Sequence, residues 1–531
     1  MSRRAVLAAS GAEPGGFGLR DDLVVAVAAC LPLVFFALIE RRLAGVAGFP
    51  LDDSWIHLHF ARNIAEGAGF SYNPGVPVAG STAPLWTLLL ALGAFVFGSS
   101  LAMVKAVGVT TALGTTIVVR RAAIAWGASR LGSLGAAVGL GWTGAIAWGA
   151  LSGMEVTLAA LLVAASLFAH ARGRDVWTAL WAALAVLARP EALVLVPLLA
   201  VARPLTIRRA LLFAGITAAV LAPFVAFSLA TVGSAVPATA SAKIEGGLFG
   251  WLSGVREPAR VTWLSRPAEF FGGWIRWLWT TDWLLPLGLL AALVWRRPGR
   301  ALAIPALALV AHPLAMALFA PYRDPAFQEG RYSIHLLPIA FVVLAVALGA
   351  RLTRSRVAIL VVYLVLAMIS LSPAATRYGW AVQNINAMQV HLGRWVDEHL
   401  PKRETIALND VGAIAYFSRR QVIDLVGLVS PDVLPYRRAG EAGILRYLTE
   451  RCPGHVIVFP AWFPRMTARR DLLEPIYRVR LDHNTVAGAD EMVVYRLVDC
   501  PKWGPRNGPQ TPRRSSRPGE AGALLETPVL R

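Results

Sequence analysis

Long apolar runs separated by short polar loops fill the first 373 residues of the chain. A membrane-crossing α-helix needs about 20 consecutive apolar residues, and most of these runs are about 16 to 22 residues long. The pattern therefore predicts a polytopic α-helical membrane protein of about eleven spans. The predicted spans are 22–39, 101–119, 132–150, 156–170, 175–188, 190–202, 209–230, 282–295, 301–320, 333–350 and 356–373.

The apolar stretch 83–98, which opens beside Pro84, decides the predicted topology. If it crosses the membrane, the arginines of 120–130 fall outside the cell. If it is a re-entrant or interfacial helix, the arginines of 120–130, 172–174, 203–209, 296–300 and 351–356 all lie in the cytoplasm, as the positive-inside rule requires. We therefore predict the second arrangement. It gives a multi-pass protein of the inner (plasma) membrane, with an uncleaved first helix and an extracytoplasmic acidic pair at 52–53.

The chain changes character after the transmembrane domain 1–373. A helical pattern over 379–399 precedes short runs typical of strands, with turn residues between them. We expect 374–500 to form a small extracytoplasmic α/β domain, with strands at 405–408, 413–417, 421–425, 455–459, 477–481 and 491–498. The stretch 501–531 is rich in Pro, Gly, Ser and Arg, and we expect a disordered basic tail there.

Composition agrees with a membrane protein. Hydrophobic residues make up 56% of the chain, and the 18 Trp suit aromatic belts at membrane interfaces. The net charge of +19 comes largely from arginines in short loops, so it indicates membrane topology and not a nucleic-acid partner. Of three cysteines, Cys452 and Cys500 fall in the predicted outer domain, where a disulfide can form; the sequence leaves their pairing open.

Two adjacent carboxylates, Asp52 and Asp53, are the first candidates for chemistry. Asp53 on its own can be explained as the N-cap of the helix that follows. The N-cap role does not explain Asp52. Two neighbouring carboxylates in a partly dry site either bind a cation or share a proton. His57 lies four residues after Asp53 and can face the same way on a helix.

Further charged residues fall on the predicted outer face. Charges at a membrane edge are usually paired and often functional. Arg189 can form a salt bridge with Glu191 or with Glu155, and Lys243 can bind a phosphate or snorkel to the interface. Arginine binds phosphate oxygens in a fork. The candidate substrate-binding residues are His57, Arg189, Glu191, Lys243, Arg323, Arg331 and Tyr332.

Several short motifs, taken in order, resemble the GT-C class of polytopic glycosyltransferases. They are Asp52-Asp53, the Gly-Ser-Thr-Ala-Pro-Leu-Trp segment 80–86, Gly153-Met-Glu155, Ala188-Arg-Pro-Glu191, and Gly330-Arg-Tyr332 with Pro338. More narrowly, the chain looks like the branch that includes the mycobacterial terminal arabinofuranosyltransferases. That branch has a related Asp-Asp loop with an Asn-Pro-Gly turn, and an outer domain with segments like 409–416 and 424–428.

The resemblance implies an inverting sugar transfer from a polyprenyl-phosphate donor to a cell-envelope glycan or lipid acceptor. Asp52 or Asp53 would act as the general base on the acceptor hydroxyl. Arginine, lysine or a divalent cation would stabilise the departing phosphate. Some members of the class hold a metal with outer-loop carboxylates, which here would be Asp52, Asp53 and Glu155; others use none.

Two other functions compete with this one. A transporter or flippase of lipid-linked sugars should have paired broken helices in two halves, and the sequence shows no such symmetry. A non-catalytic membrane scaffold would leave the acidic pair unexplained. The motifs do not fix the sugar, the acceptor or the oligomeric state.

Overall fold

A computed structural model describes residues 18–244, 246–252, 257–281, 285, 288–289, 299–319, 324–349, 353–498 and 500. Arg323, the predicted tail 501–531 and most of the predicted span 282–295 lie outside the described residues.

Helices account for most of the described residues before residue 400. Among the described residues, six are long and apolar enough to cross a membrane, or seven if a pair bent by 56° counts as one span. The six are Leu19–Ala44, Leu101–Ala125, Ile207–Val232, Arg300–Leu318, Phe327–Leu348 and Arg354–His399, and the bent pair is Arg130–Gly141 with Gly144–Leu151. Shorter apolar helices are Pro84–Phe97, Val156–Ala171, Asp175–Ala188 and Pro190–Val201. This is a multi-pass helical protein, and the count of about eleven spans stays a prediction.

Small residues let these helices pack closely. Gly108 in the Leu101–Ala125 helix lies directly against the backbone of Ala150, so that a Cβ there would come within 2.2 Å of the Ala150 carbonyl oxygen. Helices within a membrane pack mainly through such close van der Waals contact. The Val156–Ala171 helix is buried along most of its length because it packs between Leu101–Ala125 and Asp175–Ala188.

A buried ion cluster fixes the relative sides of the first helices. Asp21 and Asp22, at the start of the Leu19–Ala44 helix, bind Arg120, Arg121 and Arg130. The Arg130 Nη2 to Asp21 Oδ1 distance is 2.7 Å. The Leu101–Ala125 helix therefore ends on the side where the first helix begins. The segment between these helices starts and finishes on one side, as a re-entrant Pro84–Phe97 helix requires.

Several short elements surround the predicted outer loops. They are the helices Asp53–Ala65, Ala238–Lys243, Gly247–Leu252, Arg266–Thr281 and Phe327–Gly330, the π-helical turn Val261–Ser265 and the 3-10 turn Ile334–Leu336. The last span continues past residue 374. The helix Arg354–Ile385 runs through a π-helical turn, Asn386–Val390, into His391–His399, so the predicted domain division falls inside one continuous helical segment.

The C-terminal residues form a five-stranded sheet in the order β2-β1-β3-β5-β4. β1 is Thr405–Leu408, β2 Gln421–Asp424, β3 His455–Val458, β4 Leu473–Arg480 and β5 Glu491–Leu497. β1 pairs in parallel with β2 and β3, and β5 pairs antiparallel with β3 and β4. The accompanying helices are Ala413–Ser418, Leu434–Arg438, Gly440–Arg451 and Pro464–Thr467.

Most predicted strands are confirmed, but 413–417 is wrong: these residues begin the helix Ala413–Ser418. The run is apolar and short, so periodicity cannot distinguish a buried helix from a buried strand. The first backbone amides of this helix have their partner in a distant part of the chain. The backbone amides of Gly412 and Ala413 donate to the carboxylate of Asp52.

Cys452 and Cys500 are joined by a disulfide with a Cα–Cα distance of 5.7 Å. The bond closes a sequence separation of 48 residues around β3, β4 and β5. The remaining cysteine, Cys30, is free within the first helix.

We expect maleimide to label one thiol of the unreduced, denatured protein and three after reduction, because only Cys30 is unpaired. Cys500→Ser should lower the stability of the C-terminal domain by about 3–4 kcal/mol, the value for a loop of this length. Mass spectrometry counts the labelled thiols, and thermal unfolding in detergent measures the change in stability. Cys30→Ala is the matched control, and three labelled thiols without reductant would contradict the pairing.

Candidate active site

A cavity of about 430 Å³, partly open to solvent, lies where the Asp53–Ala65 helix begins. Its walls come from well-separated parts of the sequence. The lining residues are Asp53, Ile56, His57, Gly80, Ser81, Thr82, Met154, Glu155, Arg189, Thr239, Lys243, Arg331, Tyr332 and Leu428.

Asp53 lies between two cations in this cavity. Its Oδ2 accepts a hydrogen bond from Arg331 Nη1 at 2.7 Å and lies 3.7 Å from Lys243 Nζ. Burial raises the pKa of Asp53, but the charges of Lys243 and Arg331 outweigh that effect and hold the pKa below its usual range. The side chains of Asp53 and Lys243 remain about a third exposed, so both are open to a ligand.

A second charged group also lines the cavity. Arg189 donates to Glu155 and also to Glu191, with 3.2 Å between Arg189 Nε and Glu191 Oε2. Both salt bridges that the sequence left as alternatives therefore form. His57 Nε2 lies 3.3 Å from the second oxygen of Glu155, and its Nδ1 lies 3.4 Å from Thr87 Oγ1. This arrangement satisfies a buried arginine with two carboxylates, as low-dielectric surroundings require.

A strained turn positions Arg331. Gln328 and Glu329 have φ angles of 48° and 59°, in the left-handed region that side chains rarely adopt. Gly330 has a φ of 72° and lies so near the Trp277 ring that a Cβ would approach within 1.9 Å. The Arg331 guanidinium then lies 5.1 Å from the Tyr332 ring centroid and donates to the Tyr332 hydroxyl at 3.2 Å.

The structure brings together most of the residues that the sequence nominated. Asp53, His57, Glu155, Arg189, Lys243, Arg331 and Tyr332 all line the cavity. Glu191 does not line it but pairs with Arg189. Asp52 lies outside the lining, with its carboxylate on the amides of Gly412 and Ala413. Arg323 lies outside the described residues.

Thr239 and Leu428 also line the cavity, although neither was nominated as a site residue from the sequence. Thr239 donates to the carbonyl of Gly80 and is 3.0 Å from that of Leu428, which belongs to the C-terminal domain. Thr239 stood in the small-residue run before Lys243, a weak signal. Nothing in the sequence near Leu428 indicates that it reaches the membrane domain.

The carboxylates nominated as metal ligands do not fit a metal site in this arrangement. Asp52 is bound to two amides, Asp53 to Arg331 and Lys243, and Glu155 to Arg189 and His57. Within the described residues, no group of three or more His, Cys, Asp or Glu side chains is placed to hold a metal ion. Arg189, Lys243 and Arg331 supply positive charge to the cavity.

Asp410 is a further acid beside this region, at the end of β1. Burial, with the nearby charges of Asp53 and Asp424, raises the pKa of Asp410 to about 6, although a hydrogen bond from Gln389 acts against the rise. Burial and the charge of Asp410 also raise the pKa of Asp52, against its two amide hydrogen bonds. The folded protein therefore binds these protons more tightly than the unfolded chain does.

We expect the contribution of Asp410 to the stability of the protein, taken as the difference between wild type and Asp410→Asn, to fall as the pH rises from about 4 to about 6, between the unfolded and folded pKa values of Asp410. Asp410→Asn lacks this contribution and should raise the thermal midpoint at pH 8 by about 2–4 °C. Thermal unfolding in detergent between pH 4 and 8 measures it. Asp397→Asn is the control, since a hydrogen bond from Lys402 lowers the pKa of Asp397 and its contribution has the opposite sign. If stability depends on pH in Asp410→Asn as it does in wild type, the raised pKa of Asp410 is refuted.

The sequence of residues 382–495 matches a family described as a domain of unknown function (DUF8728). No curated protein sequence matches the chain. The structure is similar to that of ArnT from Cupriavidus metallidurans bound to undecaprenyl phosphate, with a TM-score of 0.53 and 13% identity, over 88% of this chain and 98% of that one.

A second neighbour is the archaeal oligosaccharyltransferase AglB from Archaeoglobus fulgidus, in complex with an inhibitory peptide and a dolichol-phosphate. Its TM-score is 0.51 at 13% identity, over 87% of this chain and 74% of that one. The arabinofuranosyltransferase AftD from mycobacteria gives a TM-score of 0.46 at 15% identity, over 89% of this chain and 41% of that one. The chain has the fold of the GT-C membrane glycosyltransferases, as its motifs predicted.

Proposed function

We propose that this protein is a membrane glycosyltransferase that moves a sugar from a polyprenyl-phosphate donor to a cell-envelope glycan or lipid acceptor. The transfer takes place on the outer face of the plasma membrane. One observation carries the proposal: in a GT-C fold, the carboxylate of Asp53 faces a cavity together with the cations Arg331 and Lys243. A base and a phosphate-binding pair are the two parts that such a reaction needs.

The donor class follows from the charges and from the neighbours. ArnT is bound to undecaprenyl phosphate and AglB to a dolichol-phosphate, both of which are lipids with a single phosphate group. In this chain, Arg331 and Lys243 can take the place of a metal at such a phosphate. Arg331 is held by Tyr332 and by the strained turn before it, so its guanidinium is already in position before a ligand arrives.

Asp53 is the better candidate for the base, because it lines the cavity and Asp52 does not. Its carboxylate takes the proton of the acceptor hydroxyl while that oxygen attacks the anomeric carbon. The bond from this carbon to the phosphate oxygen breaks on the opposite face, so the configuration inverts. The polyprenyl phosphate leaves with the bonding electrons, and Arg331 and Lys243 stabilise its charge.

The cations that bind Asp53 also weaken it as a base. The donor phosphodiester carries one negative charge, as a carboxylate does, and its two free oxygens can accept hydrogen bonds from Arg331 and Lys243. Donor binding would then draw these cations away from Asp53 and raise its proton affinity when the acceptor arrives. The second charged group, in which His57 and Arg189 share Glu155, lines the same cavity and is suited to hold sugar hydroxyls.

The outer-face location is supported by two features of the chain. The cavity lies at the end of the first helix that is remote from the arginine cluster at Asp21 and Asp22. Arginine-rich ends of spans face the cytoplasm. The disulfide in the C-terminal domain also suits an oxidising compartment.

Asp53→Asn should lower kcat for sugar transfer by about 10²- to 10⁴-fold, the usual contribution of a general base. The assay uses purified protein in lipid nanodiscs, a panel of polyprenyl-phosphate sugars and a crude envelope glycan acceptor. Glu66→Gln is the matched control, because it neutralises an exposed acid just beyond the end of the same helix. If Asp53→Asn transfers sugar at the wild-type rate, Asp53 is not the general base. Movement of donor across the bilayer without transfer would favour a carrier.

Lys243→Ala should weaken binding of the lipid phosphate by about 10- to 100-fold, since a hydrogen bond to a charged group contributes about 1.5–3 kcal/mol. Lys243→Arg should restore most of it. Binding of undecaprenyl phosphate in nanodiscs, followed by tryptophan fluorescence, gives the affinity without any turnover. Equal affinity in wild type and Lys243→Ala would show that the phosphate binds elsewhere.

A further inference from the structure

The C-terminal domain is attached to the membrane domain through the acidic residue that does not line the cavity. The Oδ2 atom of Asp52 accepts from the amide of Gly412 at 2.6 Å, and the Oδ1 atom accepts from the amide of Ala413 at 2.7 Å. The backbones are so close that a Cβ at Gly412 would lie 2.0 Å from the carbonyl oxygen of Asp52. Only glycine allows this approach.

The loop after the Asp53–Ala65 helix makes a second set of contacts with the C-terminal domain. The hydroxyl of Tyr72 donates to the carbonyl of Val411. The side-chain amide of Asn73 donates to the carbonyl of Val422 at 2.8 Å and accepts from the amide of Val422 at 2.8 Å. Val422 lies in β2, which is an edge strand, so Asn73 satisfies backbone groups that a further strand would otherwise pair.

The third contact reaches the cavity itself. Leu428, just after β2, is part of the cavity wall, and its carbonyl lies 3.0 Å from the Thr239 hydroxyl. Thr239 also donates to the carbonyl of Gly80, another lining residue. The cavity is therefore complete only while the C-terminal domain rests on the membrane domain.

We propose that Asp52 is a positioning residue, which fastens the C-terminal domain over the cavity and thereby holds Leu428 and Asp53 in their places. Asp52 and Asp53 are consecutive, and the carbonyl of Asp52 accepts the amide of Trp55 in the first turn of the Asp53–Ala65 helix. Fixing the side chain of Asp52 thus fixes the direction in which that helix starts. This inference gives a function to residues 382–495, and its catalytic part rests on the proposed function above.

Substitutions of Asp52 and of Asp53 should then have different effects. A catalytic role shared by both carboxylates would not produce such a difference. Asp52→Asn replaces one acceptor oxygen with an amide group, which faces a backbone N–H and cannot accept its hydrogen bond. Asp52→Ala removes both acceptors. Asp53→Asn leaves the contacts of Asp52 intact. The attachment is measured by hydrogen exchange of peptides that cover 410–418, a readout independent of turnover.

We expect exchange at 410–418 to rise about tenfold or more in Asp52→Asn and Asp52→Ala, and to stay at the wild-type rate in Asp53→Asn. Transfer by the Asp52 variants should fall through both KM and kcat but keep the wild-type pH profile, because their base is intact. Tyr72→Phe removes a different attachment, outside the cavity. It should raise exchange at the same peptides to a smaller extent, and it keeps the test open if the Asp52 variants do not fold.

Two results would overturn the proposal. Unchanged exchange in the Asp52 variants, or in Tyr72→Phe if those do not fold, would show that these bonds do not hold the domain. Complete loss of transfer in Asp52→Asn with unchanged exchange would make Asp52 a catalytic residue. If wild type transfers no sugar at all, the proposed function fails, while the exchange measurements still decide whether Asp52 attaches the domain.

Discussion

The site depends on how the half-buried carboxylate of Asp53 is compensated. A charge partly removed from water is stabilised by opposite charges, and Asp53 contacts Arg331, 278 residues away in sequence, and Lys243. To meet this need, three distant segments converge at one point: the start of the Asp53–Ala65 helix, the loop of Lys243 and the turn of Arg331. The same pairing gives the cavity its chemistry, because cations that satisfy a carboxylate can also satisfy a phosphate.

Asp52 and Asp53 show how position at a helix start separates two identical side chains. Asp52 is the N-cap residue and Asp53 the first helical residue, so their side chains point in different directions. One carboxylate meets backbone amides of the C-terminal domain, and the other meets side-chain cations of the membrane domain. The usual account of an acidic pair, in which both members bind one metal, does not describe this geometry.

Much of the fold could be predicted from the sequence, for reasons that are local. Apolar length predicted the helices, and alternation with turn residues predicted β1 to β5 to within a few residues. The charged residues of the site could be nominated because charges at a membrane edge are costly and therefore rare.

The features that could not be predicted from the sequence depend on contacts between distant residues. The helix Ala413–Ser418 was predicted as a strand, and the contact at its start comes from Asp52, 360 residues earlier. The role of Leu428 and the separate positions of Asp52 and Asp53 depend on the same interface. No local pattern encodes which surface of a small sheet will rest on a membrane domain.

The continuous helical segment Arg354–His399 has a mechanical consequence. It is 46 residues long, or about 70 Å at 1.5 Å per residue, and it joins the bilayer directly to the sheet. The hydrogen bonds at Asp52 and Asn73 attach the C-terminal domain to the membrane domain a second time, at segments more than 300 residues earlier in the chain. The sheet is therefore held both by the covalent chain and by side-chain contacts, so that losing those contacts would leave it tethered by this helix alone.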